Sequence, residues 1–303
     1  MKIIITGATG FVGRNLVPKL IDANHELLEV TIEPEKSKEF YGNRTKQFTY
    51  SQSNHENLIE QFNLFQPDVC IHLASYLTAN DDYRTMHTLL DANIQFTCNI
   101  LDALKQSGLS LFINTGSFAE YYKGDGKLDP AYLYTATKSA SRIFVDYYSK
   151  TYNFKQITIA PYTIYGEPDS QKKIIDLIYD SLDNDIPFKL TPGNQMLDFI
   201  HLEDITDFFV EIVKYYNKVD NASVFQLGCG RGNTLRDLTE IMENETGKVA
   251  NIKWGGKEYR PRDVMYAVAN TSTQFHLFGW KAKISLEEGV KKYLRAKRNE
   301  IKG

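Results

Sequence analysis

Residues 2–20 leave the chain little choice of fold. Lys2 to Thr6 is a short apolar run rich in β-branched side chains, the pattern of a strand buried on both faces of a parallel sheet. It passes at once into Thr-Gly-Ala-Thr-Gly-Phe-Val-Gly, residues 6–13. A segment follows whose Phe11, Val12, Leu16, Val17 and Leu20 recur at helical spacing. Gly7, Gly10 and Gly13 give G-x-x-G-x-x-G. In such a turn the first glycine bends tightly, the second lets a pyrophosphate approach the backbone, and the third lets helix and strand pack closely. The helix N-terminus adds N–H groups and a positive partial charge for the phosphates. A dinucleotide-binding strand–turn–helix is therefore expected here.

The rest of the chain continues the alternation. Strands are expected at Glu26 to Ile32, Gln47 to Tyr50, Pro67 to Leu73, Leu109 to Thr115 and Gln156 to Ala160. Helices are expected at Asn54 to Phe62, Thr85 to Ser107 and Pro130 to Tyr152. With no hairpin signals between them, this argues an α/β doubly wound parallel sheet. Beyond Gly166 the rhythm loosens. Ile174 to Leu182, a segment opened by Glu203-Asp204, Leu235 to Glu245 and Ser285 to Lys302 have helical patterns. Pro187 to Thr191, Leu197 to His201 and Val224 to Leu227 have strand patterns. We expect an NAD(P)-binding domain at residues 1–166 and a smaller C-terminal α/β substrate-binding region at 167–303, with part of 197–228 completing the sheet.

Chemistry gathers between Asn114 and Lys138. Asp129-Pro130 has the form of a helix start, an N-cap carboxylate followed by proline at the first helical position. Tyr134 and Lys138, four apart on that helix, share a face. An ammonium beside a phenol favours the phenolate, so the Tyr134 pKa is expected to fall from its usual value toward working pH. A phenol so tuned exchanges a proton with a hydroxyl or ketone. Ser117, just past the fifth strand, is placed to hydrogen-bond the same oxygen. His72 lies inside a strand pattern and is expected to be a packed core residue. Arg260 and Arg262, in Glu-Tyr-Arg-Pro-Arg-Asp, are planar cations suited to a diphosphate. At the end of the second strand, Glu33 and Glu35 would repel the 2′-phosphate of NADP while Arg14 would attract it, so the cofactor NAD(P)(H) leans to NAD(H).

Composition removes other classes. The net charge of −3 offers no basic surplus for nucleic acid or an anionic membrane. Cys70, Cys98 and Cys229 are far apart, which suggests neither a zinc site nor a redox motif, and no metal is expected. Met1-Lys2 leads into only three isoleucines, so no signal peptide is expected. No apolar run approaches membrane-spanning length. A cytoplasmic protein is expected.

These residues together resemble the extended short-chain dehydrogenase/reductase family, the nucleotide-sugar epimerases, dehydratases and reductases. Thr6 to Gly13 is similar to its cofactor loop, Asp68 to Ala74 to its fourth strand, and Asp91 to Ala103 to its asparagine-bearing helix. Gly116 to Tyr121 is similar to its Ser/Thr motif and Tyr134 to Lys138 to its Tyr-x-x-x-Lys pair. The runs Leu197 to Ile205, Arg260 to Asp263, Val268 to Ser272 and Leu277 to Lys283 are similar to its sugar-nucleotide half.

The resemblance implies a Rossmann-type fold and cofactor contacts from Gly7, Gly10, Phe11, Val12, Thr31, Leu73, Ala74, Tyr134, Lys138 and Pro161. It implies catalysis by Ser117, Tyr134 and Lys138, with Thr115 as the alternative hydroxyl, and substrate contacts from Ser117, Arg260 and Arg262. Three departures matter. Ala160 and Leu197 stand where the family usually has arginines, which leaves more of the binding to Arg260 and Arg262. Phe118 and Ala119 replace the acid pair of the dehydratases, which argues against water elimination. The pattern is most similar to the bacterial reductases that make dideoxyhexoses. Reduction of a 4-keto nucleotide sugar is the expected reaction. A 4-epimerase using the same three residues is the alternative, and a cofactor-sensing protein without catalysis is the alternative of another class. The apolar faces of helices 85–107 and 130–152 predict a homodimer joined through a four-helix bundle.

Overall fold

The computed structural model describes residues 1–124, 126–169 and 171–302. The opening run forms β1 (Lys2–Thr6), with Ile3, Ile4 and Ile5 fully buried, and turns through the glycines into α1 (Gly13–Asp22). β2 (Glu26–Thr31), α2 (Pro34–Tyr41), β3 (Lys46–Thr49), α3 (His55–Phe65) and β4 (Val69–His72) follow in strict alternation. The sequence pattern does not announce α2, which buries only Ser37 and Tyr41 and so carries no apolar stripe. Its one signal is Pro34 at the first turn.

The long helix expected over residues 85–107 is instead α4 (Tyr83–Leu90) and α5 (Phe96–Leu104), joined by a π turn at Asp91–Gln95. The turn carries Asn93, which is buried and whose side chain makes four hydrogen bonds. Its amide donates to the Tyr76 carbonyl (3.1 Å) and the Thr137 hydroxyl (2.9 Å). It accepts from the Tyr76 N–H (2.8 Å) and the Ser75 hydroxyl (3.2 Å). These bonds offset the break in the helical ladder, and π turns are frequent at functional sites.

β5 (Leu111–Thr115), α6 (Leu133–Tyr152) and β6 (Lys155–Pro161) complete the first pattern. Here one expectation fails. Asp129-Pro130 does not start α6, which begins at Leu133 after an extended Tyr132. The Thr135 hydroxyl accepts the Tyr132 N–H (3.1 Å). The Asp129 carboxylate is instead paired with the Arg262 guanidinium, and the Asp129 carbonyl accepts the Tyr122 N–H (3.0 Å). A charge-assisted pair with arginine outcompetes a single capping bond.

The remaining elements are β7 (Thr163–Tyr165), α7 (Ile174–Ser181), β8 (Phe188–Lys189), β9 (Met196–Leu197), β10 (Phe199–His201), α8 (Leu202–Tyr215) and β11 (Ser223–Leu227). They continue with β12 (Asn233–Thr234), α9 (Leu235–Thr246), β13 (Ile252–Lys253), β14 (Tyr266–Ala267), α10 (Ser272–Phe278) and α11 (Leu286–Lys302). The strand expected over 197–201 is broken at Asp198. Its buried carboxylate accepts the N–H groups of Cys229 (2.7 Å), Gly230 (2.8 Å) and Ala269 (3.1 Å). That side chain turns the strand, so β9 pairs with β12 and β14 while β10 pairs with β7.

The main sheet has seven strands in the order β11-β6-β5-β4-β1-β2-β3. From β3 through β6 each adjacent pair is parallel. The chain leaves β1 toward β2 and β3, then returns to lay β4 on the other side. The point where strand order reverses is thus between the carboxyl ends of β1 and β4, the usual ligand crevice of such sheets.

Packing divides the chain into two compact units. The first comprises Met1–Glu120, Tyr132–Ala160 and Thr206–Phe225. The second comprises Tyr121–Ala131, Pro161–Ile205 and Gln226–Gly303. Phe62, Cys70, Ile100, Leu104, Phe112 and Phe154 belong to the core of the first unit, and Tyr165, Ile178, Phe199, Leu238, Val290 and Tyr293 to that of the second. Among the described residues no helix is long and apolar enough to cross a membrane.

Phe112 lies in β5, fully buried and close to the rings of His72 and Phe154. Phe112→Ala is expected to destabilise the fold by about 3–5 kcal/mol. Urea unfolding should show a lower midpoint at unchanged slope, and an unshifted midpoint would contradict the packing described.

Candidate active site

The glycine turn is shaped by backbone contact. Gly7 has φ +71°, and a Cβ there would meet the Ala74 nitrogen at 2.7 Å. A Cβ at Gly13 would collide with the carbonyl of Gly7 and, at 2.5 Å, with that of Ala8. Leu73 N–H donates to the Thr6 carbonyl (3.2 Å) and Ala74 N–H to the Thr6 hydroxyl (3.1 Å), so residues 73–74 lie directly against the turn. α1 opens with no side-chain cap and no acid in its first turn. Its positive end is therefore offered to a bound anion. The Arg14 guanidinium lies over the Phe11 ring, 5.4 Å from its centre. The Tyr41 hydroxyl donates to the Ala8 carbonyl (2.7 Å) and pins the turn from α2, a contact hidden with the helix that carries it. A cradle a Cβ would fill, beside an uncapped helix N-terminus, fits the pyrophosphate of NAD(P).

At the end of β2, Thr31 is buried and its hydroxyl accepts the Glu33 N–H (2.9 Å). The Glu33 carboxylate accepts the Thr9 hydroxyl (2.7 Å) and faces Lys36 at 3.4 Å. Glu33 is thereby fastened beside the glycine turn.

α6 carries Tyr134 and Lys138 on one face, as expected, with Lys138 wholly buried. The expected direction of the phenol shift is overturned. Burial pushes Tyr134 up to about 12, the Ser75 hydroxyl bonded to it pulls the other way, and the Glu120 charge raises it further. Burial also lowers Lys138 to about 8, against the opposing pull of Glu120. Desolvation disfavours both charged forms and sets the direction of both shifts.

Ser117 follows β5. Its N–H donates to Glu120 Oε1 (2.7 Å) and its hydroxyl accepts the Ala119 N–H (3.3 Å), which leaves the hydroxyl proton to be given away. The Thr115 hydroxyl oxygen is buried and has no hydrogen-bond partner among the described residues. Nothing local in the sequence marks Ser75 or Glu120. Ser75 has the composition of an ordinary polar loop, and no periodicity marks a lone buried acid. His72 is a core residue, bonded to the hydroxyls of Thr6 (2.9 Å) and Thr97 (2.9 Å).

Pro161, expected at the cofactor, ends β6. In the second unit Arg260 lines a cavity of about 300 Å³, with Leu190, Thr191, Gln195, Leu197 and Leu235. Leu197 makes part of that wall apolar at a position where arginine was the family expectation. Arg262 does not line this cavity. It holds Asp129 and lies over the Tyr122 ring, 4.4 Å from its centre, fastening residues 121–131 to the segment around 262. In the first unit a larger open cavity of about 670 Å³, around Met1, Asn24, Gln66 and Asp68, lies at the amino ends of the strands.

The NAD dependent epimerase/dehydratase family matches residues 3–228. CDP-abequose synthase of Yersinia pseudotuberculosis is 29% identical over 302 residues, covering 96% of this chain and 98% of its own. Among solved structures, the UDP-glucose 4-epimerase of Thermotoga maritima with UDP-glucose superposes with a TM-score of 0.87 at 21% identity, covering 99% of this chain and 100% of its own. The UDP-glucuronic acid 4-epimerase of Bacillus cereus, in complex with UDP-glucuronic acid and NAD, does so with a TM-score of 0.87 at 20% identity and the same coverage.

If Glu33 selects the cofactor, Glu33→Arg should tighten NADPH binding roughly tenfold and leave NADH weaker or unchanged. Fluorescence titration of both cofactors against wild type and variant decides it. Wild-type binding of NADPH tenfold tighter than NADH would sink the idea and make Arg14 the next residue to test.

Proposed function

We infer that this chain, which belongs to the NAD dependent epimerase/dehydratase family, reduces the C4 keto group of a nucleotide-linked deoxysugar, in polysaccharide or deoxysugar biosynthesis. The family is NAD-dependent, and NAD(P)(H) is the cofactor, leaning to NAD(H). The observation that carries the reading is the Tyr134–Lys138 pair on one helix face, Lys138 buried, with Phe118 and Ala119 after Ser117 in place of an acid pair. The similarity to CDP-abequose synthase supports reduction over elimination. We assign cofactor binding to residues 1–166 and the nucleotide sugar mainly to 167–303.

When bound, NAD(P)H supplies the hydride. The Ser117 hydroxyl donates a hydrogen bond to the ketone oxygen and polarises the carbonyl. Tyr134, protonated at neutral pH because its phenol is held near 12, gives its proton to the oxygen as negative charge develops there. Lys138 stabilises the resulting phenolate by its charge and would hold the nicotinamide ribose. Hydride on carbon and proton on oxygen together turn ketone into alcohol. In the second unit, the cavity beside Arg260 is assigned to the nucleotide, with the guanidinium on its diphosphate. Arg262 contributes by holding residues 121–131 through Asp129.

The test is incubation with CDP-, dTDP-, GDP- and UDP-linked 4-keto sugars while following NAD(P)H absorbance. Stoichiometric loss supports a reductase. Product formed without net loss is the 4-epimerase outcome, and binding without turnover is the cofactor-sensing one. In the reductase assay Tyr134→Phe should lower turnover by roughly 10²–10⁴ with the fold intact. Near-wild-type turnover would remove Tyr134 from the mechanism.

We further propose a cytoplasmic homodimer. α6 turns Ile143 (70% exposed), Phe144 (40%) and Tyr147 (58%) outward, a face suited to a second copy in a four-helix bundle. Sedimentation at micromolar concentration should give a dimer, and a monomer there would refute it.

A further inference from the structure

Glu120 lies entirely out of solvent three residues past Ser117 and takes no part in the chemistry above. Its Oε1 accepts the Ser117 N–H (2.7 Å), and its own N–H donates to the Ser117 carbonyl (3.2 Å). Its Oε2 accepts the Ser139 hydroxyl (3.1 Å) and the Arg142 Nη1 (3.4 Å). Ser139 adjoins Lys138 in α6, and Arg142 is one turn beyond it. One carboxylate therefore spans the loop that carries the reactive hydroxyl and the helix that carries the Tyr–Lys pair. Gly116 makes room for it, since a Cβ there would come 2.5 Å from Oε1.

A buried charge is a poor device for stability alone. Well-packed apolar side chains of similar volume usually serve a fold as well or better. An apolar residue at 120 would fill the space but could hold neither the Ser117 amide nor the Ser139 hydroxyl. Two titratable groups on other elements interact with Lys138: Glu120 from the loop and His72 from β4. Burial, with Lys138 adding to it, pushes His72 down to about 3, so it is neutral at working pH. Glu120 is then the anion acting on Lys138.

We propose that Glu120 is a positioning residue for the reaction, fixing Ser117 in register with Tyr134 and Lys138 and supplying the anion that keeps Lys138 charged. The proposal rests on the roles given above to those three residues. Glu120→Gln keeps the shape and removes the charge. Lys138 should then lose its proton at lower pH than in wild type, because the charge favouring the ammonium is gone. Carbon-13 NMR of ε-labelled lysine follows this directly, with Lys138→Met to assign the signal. An unmoved Lys138 midpoint overturns the proposal, and a purely structural Glu120 would give that result.

The second readout is turnover of CDP-linked 4-keto-6-deoxyglucose with NADH. Glu120→Gln should lower kcat roughly 10²-fold at unchanged KM for NADH, the scale of a small misplacement of reacting groups. Tyr134→Phe in the same assay separates the two ideas. If it is active, the functional reading fails, while the lysine titration still decides the role of Glu120. If it is inactive and Glu120→Gln is as fast as wild type, the inference about Glu120 fails alone. Should Glu120→Gln not fold, Glu120→Asp keeps the anion but shortens its reach. The Lys138 midpoint should then hold, and the Ser117 amide proton should shift as its bond to the carboxylate is lost. An unchanged amide shift overturns the proposal.

Discussion

The bare backbone at Gly7 and Gly13 is the contact on which the site depends. With no side chain at either position, β1 runs into α1 across the carbonyls of Gly7 and Ala8, and the loop after β4 lies against the same turn. Any Cβ there would push apart two strands and a helix at the point where strand order reverses. Thr6 completes the junction. Its carbonyl and hydroxyl take the N–H groups of Leu73 and Ala74, and the hydroxyl also bonds His72. The crevice is thus made by main-chain proximity first and lined by side chains afterwards.

Around the Tyr–Lys pair, solvent exclusion inverts the order in which the two groups titrate. In water both lose their protons near about pH 10, the phenol slightly first. Here the ammonium, held near 8, would lose its proton well before the phenol, held near 12. An acid meant to give up a proton only to a developing alkoxide benefits from that inversion, because it is not spent on bulk water. The lysine is left closer to neutrality, which makes its surroundings matter more than its identity alone.

Residues whose role follows from local repetition were legible in the sequence. The strands of the main sheet, the glycine turn, the Tyr134–Lys138 face and the burial of His72 follow from short apolar runs, from a period of 3.6 and from the special geometry of glycine. What was not legible depends on partners distant in the chain. Asp129 has every local feature of an N-cap, yet Arg262, far along the sequence, takes its carboxylate. The π turn at Asp91–Gln95 exists for the bonds Asn93 makes to Tyr76 and Thr137. The sign of the Tyr134 shift depends on how much protein surrounds the phenol, which spacing cannot report. Glu120 looks like any acid in a loop until its three partners are assembled around it.

The two packing units interleave along the chain, and this bears on how the protein is made. The first unit takes its last segment, Thr206–Phe225, from far beyond its first two, and within it β11 lies beside β6. A nascent chain emerging from the ribosome therefore cannot finish either unit as an autonomous domain before most of the sequence has been synthesised. Partly built sheets with an open β6 edge would persist meanwhile, and unpaired edges of that kind invite misassociation. Nor could one simple cut or fusion exchange a unit for that of a relative. Such a chain is inherited, and would have to be engineered, as an indivisible whole.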